Sequence, residues 1–236
     1  MQKQSIFTDN SRVDEKGKIV VQFSQWMVLI MKEYVEKMKT LPFVSITLVG
    51  INVIVYLICQ ISGEALYNAG CCGVFDVLMN REYWRMITST FLHSGVEHLF
   101  SNMLLLGFMG AMLEKVIGHL PFTVIYFLSG IGGNVLSLCV KWYSEDWAVS
   151  LGASGAIFGL DGLLLAIVLI LGNRVQDITL SRVLIMIVLS LYSGFTSPNV
   201  DNAGHVGGLI VGFLLGVLVC VVKRLRHTNE RWLHEY

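Results

Sequence analysis

The sequence predicts an all-α membrane protein, a bundle of six transmembrane helices, and three observations carry that prediction. Charged residues are only 14% of the chain against 54% hydrophobic residues, and mean hydropathy is +0.65. Ordinary soluble domains carry about 25% charged residues, so a chain this poor in charge belongs to the membrane class. Six apolar runs, nearly free of charge, follow one another along the chain. When those runs are threaded through a bilayer, 14 of the 17 Lys and Arg residues fall on one side.

Crossing ~30 Å of hydrocarbon takes about 20 apolar residues in a helix. The runs are Leu41 to Ile61, His98 to Leu113, Leu120 to Val140, Ser154 to Leu171 (interrupted by Asp161), the short Val183 to Ser197, and Gly204 to Val222. Helix is the expected state of each, because lipid cannot satisfy an open strand edge. The bias of Lys and Arg places both termini in the cytoplasm, leaving Arg81, Arg85 and Lys141 outside. The long connection from Ser62 to Glu97 then lies outside. Its aromatic residues, among them Tyr67, Phe75, Tyr83 and Trp84, suit a segment folded against the membrane surface.

Three parts follow: a cytoplasmic or interfacial segment (1–40), a six-helix core (41–222) and a basic cytoplasmic tail (223–236). Within the first part, the 13-residue patch Ile19 to Met31 is too short to span and suits an interfacial helix. No secretory signal pattern opens the chain. Zero net charge argues against a nucleic-acid partner, and five cysteines form no metal or disulfide spacing. Cys71 and Cys72 fall in the outer connection, where an impermeant reagent would be expected to label them.

Polar residues inside spans are functional candidates by default. His98 opens the second span, Ser154 opens the fourth, and His205 lies near the start of the sixth. All three spans run from outside to inside, so these residues converge at one depth just below the outer surface. Ser154 could attack a carbonyl if His205 took its proton. His98 and Asn102 are four residues apart and share a helix face, so they and the Ser154 N–H could donate to an oxyanion. Phe158, one turn after Ser154, could stack on His205. Gly155, Gly159 and Gly162 on one helix, and Gly208, Gly212 and Gly216 on the other, permit close approach of the two backbones.

Each feature alone has a plainer reading. "GASG" alone reads more readily as helix packing, while the His98–Asn102 pair reads equally as interhelical hydrogen bonding and a lone histidine equally as a structural bond or proton path. The shared depth favours a site. The absence of G-x-S-x-G and H-E-x-x-H argues against a soluble-type hydrolase and a zinc protease. An aspartyl protease would need a second embedded acid facing Asp161, and a transporter would be expected to show an inverted repeat. Asp161 lies seven residues, or ~10 Å of rise, beyond Ser154, too far to complete a triad. It is expected to hydrogen-bond a neighbouring helix or face a small hydrated pocket.

The ordered set "EYWR" (Glu82–Arg85), "HSGVEHLFSNM", "GAMLEKVIG", "GASGAIFG" and "AGHVGGLIVG" resembles the rhomboid family of intramembrane serine proteases. The resemblance covers about residues 41 to 222. It implies a rhomboid-like six-helix bundle that hydrolyses peptide bonds of single-pass or other membrane-protein substrates in the lipid bilayer, without metal or cofactor. By that resemblance Ser154 is the nucleophile, His205 the general base and then acid, and His98 and Asn102 the oxyanion donors. Arg85 and Glu82 would hold the outer loop, and Glu114 the end of the second helix. The expected location is the bacterial cell membrane. The alternative is an inactive relative that binds or chaperones membrane clients, and such proteins typically lack the serine or the histidine. The brief connection "SGFTSPNVDNA" implies a cap and a gate beside Phe195 that differ from those of other members.

Overall fold

The computed structural model describes residues 41–171, 174–175, 178–196 and 200–234. The interfacial helix expected at Ile19 to Met31 lies outside them, as do residues 197–199 of the expected cap and the side chain of Phe195. The described chain is helical, apart from one antiparallel pair of two-residue strands, β1 (Arg174–Val175) and β2 (Ile178–Thr179).

Helix α1 (Phe43–Ser62) follows Pro42 and stops at Gly63, whose φ of 63° ends the helix at no side-chain cost. The connection that follows holds α2 (Glu64–Gly70), a π turn (Phe75–Met79) and α3 (Arg85–Thr88), which runs into a 3-10 turn at Ser89–Phe91. Helix α4 (Val96–Ile117) contains a second π turn at Leu106–Gly110. Then come α5 (His119–Ser144), α6 (Ser154–Leu171), α7 (Leu180–Thr196) and α8 (Asn202–His234).

Helix α6 is the hub. Ala156, Ile157, Leu160, Leu163, Leu164, Ile167 and Val168 are all buried, and they join Leu106, Leu113, Phe122 and Tyr126 in one core. Its closest partner is α8. A Cβ on Gly208 or Gly212 would run into the carbonyl oxygens of Gly155 and Gly159, so the two backbones touch where the glycine spacing expects it. Helix α5 also enters this contact, since a Cβ on Gly133 would lie 2.6 Å from the Gly204 oxygen. The sequence reading had paired only α6 with α8.

Four helices are long and apolar enough to cross a membrane: α1, α4, α5 and the Asn202–Val222 part of α8. The apolar stretch of α6 is shorter, and α7 has 17 residues. A helix enclosed by its neighbours is solvated by protein rather than lipid, which relaxes the length rule for α6. Several boundaries differ from those expected. The second span extends from Val96 to Ile117 rather than His98 to Leu113, the third runs on to Ser144 rather than ending at Val140, the fifth helix covers Leu180–Thr196 rather than Val183 to Ser197, and α8 continues through the basic segment to His234.

The connection between α1 and α4 is a folded unit built on Arg85. Its guanidinium donates to Glu82 Oε2 (2.5 Å), to the Asn68 carbonyl (2.7 Å) and to the Cys71 carbonyl (3.1 Å). A backbone bridge between Cys72 and Ser150 ties this unit to the loop before α6, and Gly152 N–H donates to the Ser89 carbonyl. Both cysteines are consequently buried, at 6% and 0% exposure. Burial pushes the Cys71 thiol up to about 11 and the Cys72 thiol up to about 12, so neither is the reactive outer thiol expected from the sequence. At the far end of α4, the buried Glu114 accepts from Val44 N–H (2.8 Å), Ser45 N–H (2.8 Å) and Ser45 Oγ (2.6 Å). It thereby caps the start of α1, whose first amides have no partner within their own helix.

Candidate active site

Ser154 is the first residue of α6, and Gly152 sets its approach. Gly152 has φ +121°, and a Cβ there would lie 2.8 Å from His98 Nε2 and 3.7 Å from Ser154 Oγ. Any side chain would be strained by the backbone and would intrude between the two polar groups. His205 sits in the first turn of α8, and the glycine contacts of that helix bring it to Ser154. The Ser154 Oγ–His205 Nε2 distance is 2.9 Å. Phe158 stacks on the imidazole with centroids 4.3 Å apart and planes at 14°, as its one-turn spacing from Ser154 suggested. For Nε2 to accept the hydroxyl proton, Nδ1 must carry the ring hydrogen. Nδ1 is buried and has no hydrogen-bond partner among the described residues, so no acid among them orients the ring.

His98 and Asn102 lie on the first turns of α4. Ser94 Oγ contacts His98 Nδ1 at 3.1 Å, which leaves Nε2 facing Gly152 and Ser154. Asn102 is 5% exposed, and its Nδ2 has no hydrogen-bond partner among the described residues. A buried amide donor with nothing to donate to is uncommon in a folded protein and calls for an explanation. Asp161 is also buried, two turns along α6 from Ser154, and no hydrogen bond to it is found among the described residues. Of the two settings expected of it, an interhelical hydrogen bond or a small hydrated pocket, the first is not seen among the described residues, and no described hydrogen bond joins it to the imidazole.

Sequence reading overlooked several polar residues here. His93 is fully buried, packs edge-on against His98 with centroids 5.0 Å apart, and has no well-formed hydrogen bond to either ring nitrogen among the described residues. Burial first, and then the neighbouring His98, push its pKa from 6.5 down to about 4. Asn134 donates to the Met86 carbonyl and to Ser89 Oγ, bracing α5 against the unit built on Arg85. Ser150 and Asp201 lie four residues before Ser154 and His205 and are bonded to each other at 2.5 Å. Asp201 had a visible signal, since Asp followed three residues later by the first amides of a helix is an N-cap pattern. Beside the dyad lies a cavity of about 20 Å³ lined by Thr90, Asn134, Ser150, Ser154, Asp201 and His205 among others. That is room for about one water. Among the described residues no group of three or more His, Cys, Asp and Glu comes together as a metal site would require.

Residues 80–222 match the family described as Rhomboid domain. The chain is 36% identical over 172 residues to "RHOMBOID-like protein 7" of Arabidopsis thaliana, covering 72% of this chain and 52% of that protein. It is 36% identical over 174 residues to "RHOMBOID-like protein 1" of the same plant, covering 72% of this chain and 43% of the relative. It is 32% identical over 189 residues to "Rhomboid protease GluP" of Bacillus subtilis (strain 168), covering 77% of this chain and 36% of the relative. The chain thus spans about half or less of the length of these curated relatives. A matching domain over residues 80–222, joined to a helical bundle with a membrane-spanning set of apolar helices, makes this chain a multi-pass integral membrane protein of the rhomboid family.

Proposed function

We propose that this chain is an intramembrane serine endopeptidase that cuts membrane-spanning substrates with a Ser154–His205 dyad. The observation that carries the reading is the 2.9 Å contact between Ser154 Oγ and His205 Nε2 on two helices forced together by glycines. The proposed topology has six spans, with α6 and α7 crossing as well, and both termini in the cytoplasm. The three-part division into residues 1–40, 41–222 and 223–236 belongs to the same proposal. Both plant and bacterial proteins share the domain, so the bacterial cell membrane expected from the sequence is one of several membranes that could house the chain.

In the first half-reaction His205 Nε2 takes the Ser154 proton as Oγ attacks the substrate carbonyl. The new oxyanion receives hydrogen bonds from Asn102 Nδ2, His98 Nε2 and the Ser154 N–H, at the positive end of α6. His205 then passes its proton to the leaving amine. The water of the second half-reaction suits the small polar cavity beside the dyad, where His205 can activate it.

The test is to incubate purified protein in bilayers with a panel of single-span substrates. Wild type is expected to cleave at least one, and Ser154→Ala and His205→Ala to cleave none while retaining the wild-type unfolding temperature. Equal product from wild type and both variants would end the protease reading. Stable substrate capture without cleavage by wild type would favour the client-binding alternative.

A further inference from the structure

Behind the dyad, on the side of α5, lies a second polar cluster, two members of which, Ser150 and Asp201, also line the small cavity beside the dyad but transfer no proton in the chemistry above. Asp201 Oδ2 accepts from Ser137 Oγ and from Ser150 Oγ, both at 2.5 Å. Lys141 Nζ donates to Ser150 Oγ at 2.7 Å and stands 3.6 Å from the same carboxylate oxygen. The other oxygen, Oδ1, accepts the Gly204 N–H at 2.9 Å. Ser137, Lys141 and Ser150 are all buried. Burial alone would raise the Asp201 pKa, but the two serine hydroxyls, the Lys141 ammonium and the Gly204 amide outweigh it and hold it below the usual carboxylate range.

The wiring is specific. Ser150 belongs to the loop that delivers Ser154, and Asp201 caps the helix that delivers His205, whose own N–H bonds the Asp201 carbonyl at 3.1 Å. Ser137 and Lys141 belong to α5, which packs against the first turn of α8 through Gly133 and Gly204. One carboxylate therefore joins the serine loop, the histidine helix and the helix between them. A buried ion pair adds little net stability once desolvation is counted, and its better-attested use is to fix one arrangement among several. The dyad needs such a device, because His205 Nδ1 has no acid among the described residues to orient it.

We propose that Asp201 and Ser150 are positioning residues that set the separation and alignment of Ser154 and His205. This rests on the protease reading for its consequence, and on the bonding pattern alone for its structure. The cluster acts as a clasp: releasing Asp201 from Ser150 lets the serine loop and the start of α8 move independently. Displacements of ~1 Å at a reacting pair can cost 10²-fold in rate.

The experiment uses the full chain in bilayers with four variants: Asp201→Asn, Ser150→Ala, Ser150→Thr and the Asp201→Asn, Ser150→Ala double variant. Turnover and KM are measured with one cleaved single-span substrate, and amide hydrogen exchange is followed in peptides covering residues 148–156 and 200–207. Asp201→Asn and Ser150→Ala should each lower kcat by ~10–100-fold with KM unchanged. Their double variant should lose less than the product of the two losses, and Ser150→Thr, which keeps the hydroxyl, should restore most of kcat. Both peptides should exchange faster in Asp201→Asn. Wild-type kcat in Asp201→Asn, a loss confined to KM, or losses that track the unfolding temperature across all variants would overturn the proposal. If wild type cleaves nothing and Ser154 resists a fluorophosphonate, the protease reading fails, and the exchange data alone decide the clasp. Unchanged exchange in both peptides would then refute it.

Discussion

The two ends of α4 bury polar groups of opposite kinds. At its last turns Glu114 is completely enclosed and fully used, with two backbone amides and a serine hydroxyl donating to it and His119 Nδ1 at 2.5 Å. At its first turns Asn102 is nearly as buried, yet its amide nitrogen meets no acceptor among the described residues. Beside it His93 has no well-formed hydrogen bond to either ring nitrogen among them, and across the site His205 has none to Nδ1. A satisfied buried group holds a structure together, whereas an unsatisfied one costs stability unless something else requires it. Under the proposed function, the contrast gives Glu114 a role in the fold and the Asn102 end a role in chemistry. It can be broken by experiment.

The largest effect should come from Asn102. In Asn102→Ala the unpartnered donor is removed, so the folded protein should lose nothing in unfolding temperature. Turnover should fall by ~10²–10³-fold if the amide meets the oxyanion only in the transition state, with little change in KM. A variant that raises KM and keeps its maximal rate would instead place Asn102 in substrate docking.

Glu114 should behave in the reverse way. Glu114→Ala strands the Val44 and Ser45 donors at the start of α1, at about 1–3 kcal/mol for each buried group left unpaired. The unfolding temperature should drop clearly, and the fraction that remains folded should cleave at the wild-type rate per molecule. A folded Glu114→Ala protein with low kcat would erase the division between the two ends.

That division was half legible in the sequence. The Ser154–His205 contact could be anticipated, because polar residues in apolar runs are costly and His98, Ser154 and His205 each stand near the start of such a run. The α6–α8 contact could be found because glycine spacing is a local signal on each helix. The Ser150–Asp201 bond could not, because it joins residues 51 positions apart in loops whose course depends on the packing already being known. The burial of Cys71 and Cys72 escaped for a similar reason. An outer loop reads as exposed until Arg85 and the Cys72–Ser150 bridge fold it onto the bundle. The bounds of α6 were legible in full, because its apolar run is cut off on both sides by polar residues.

His93 sharpens the contrast through pH. Its pKa lies near 4 in the folded protein against 6.5 for the free group, so below pH 6.5 the unfolded chain binds a proton that the folded chain refuses. Stability should therefore fall as pH drops from about 6.5 toward 4, by ~2 kcal/mol between pH 7 and pH 5. His93→Leu, similar in volume and without a titrating group, should flatten that part of the pH profile of the unfolding temperature. Identical slopes in the variant and the wild type would show that His93 is solvated or paired.

The smallest effect is expected at Asp161, although it is an acid buried in the same helix as the nucleophile. It lies two turns from Ser154, so ~10 Å of helix separates it from the proton that His205 takes. No described hydrogen bond links it to either member of the dyad, and the imidazole nitrogen that a triad acid would hold has no partner among the described residues. Asp161→Asn keeps the shape and breaks no hydrogen bond seen among the described residues. Turnover should stay close to wild type, and the unfolding temperature should hold or rise, since a carboxyl group in an apolar setting is replaced by an amide. A folded Asp161→Asn protein as inactive as Ser154→Ala would show that the acid reaches the reaction through intervening water. The unpartnered Nδ1 of His205 would then mark the place where that water binds.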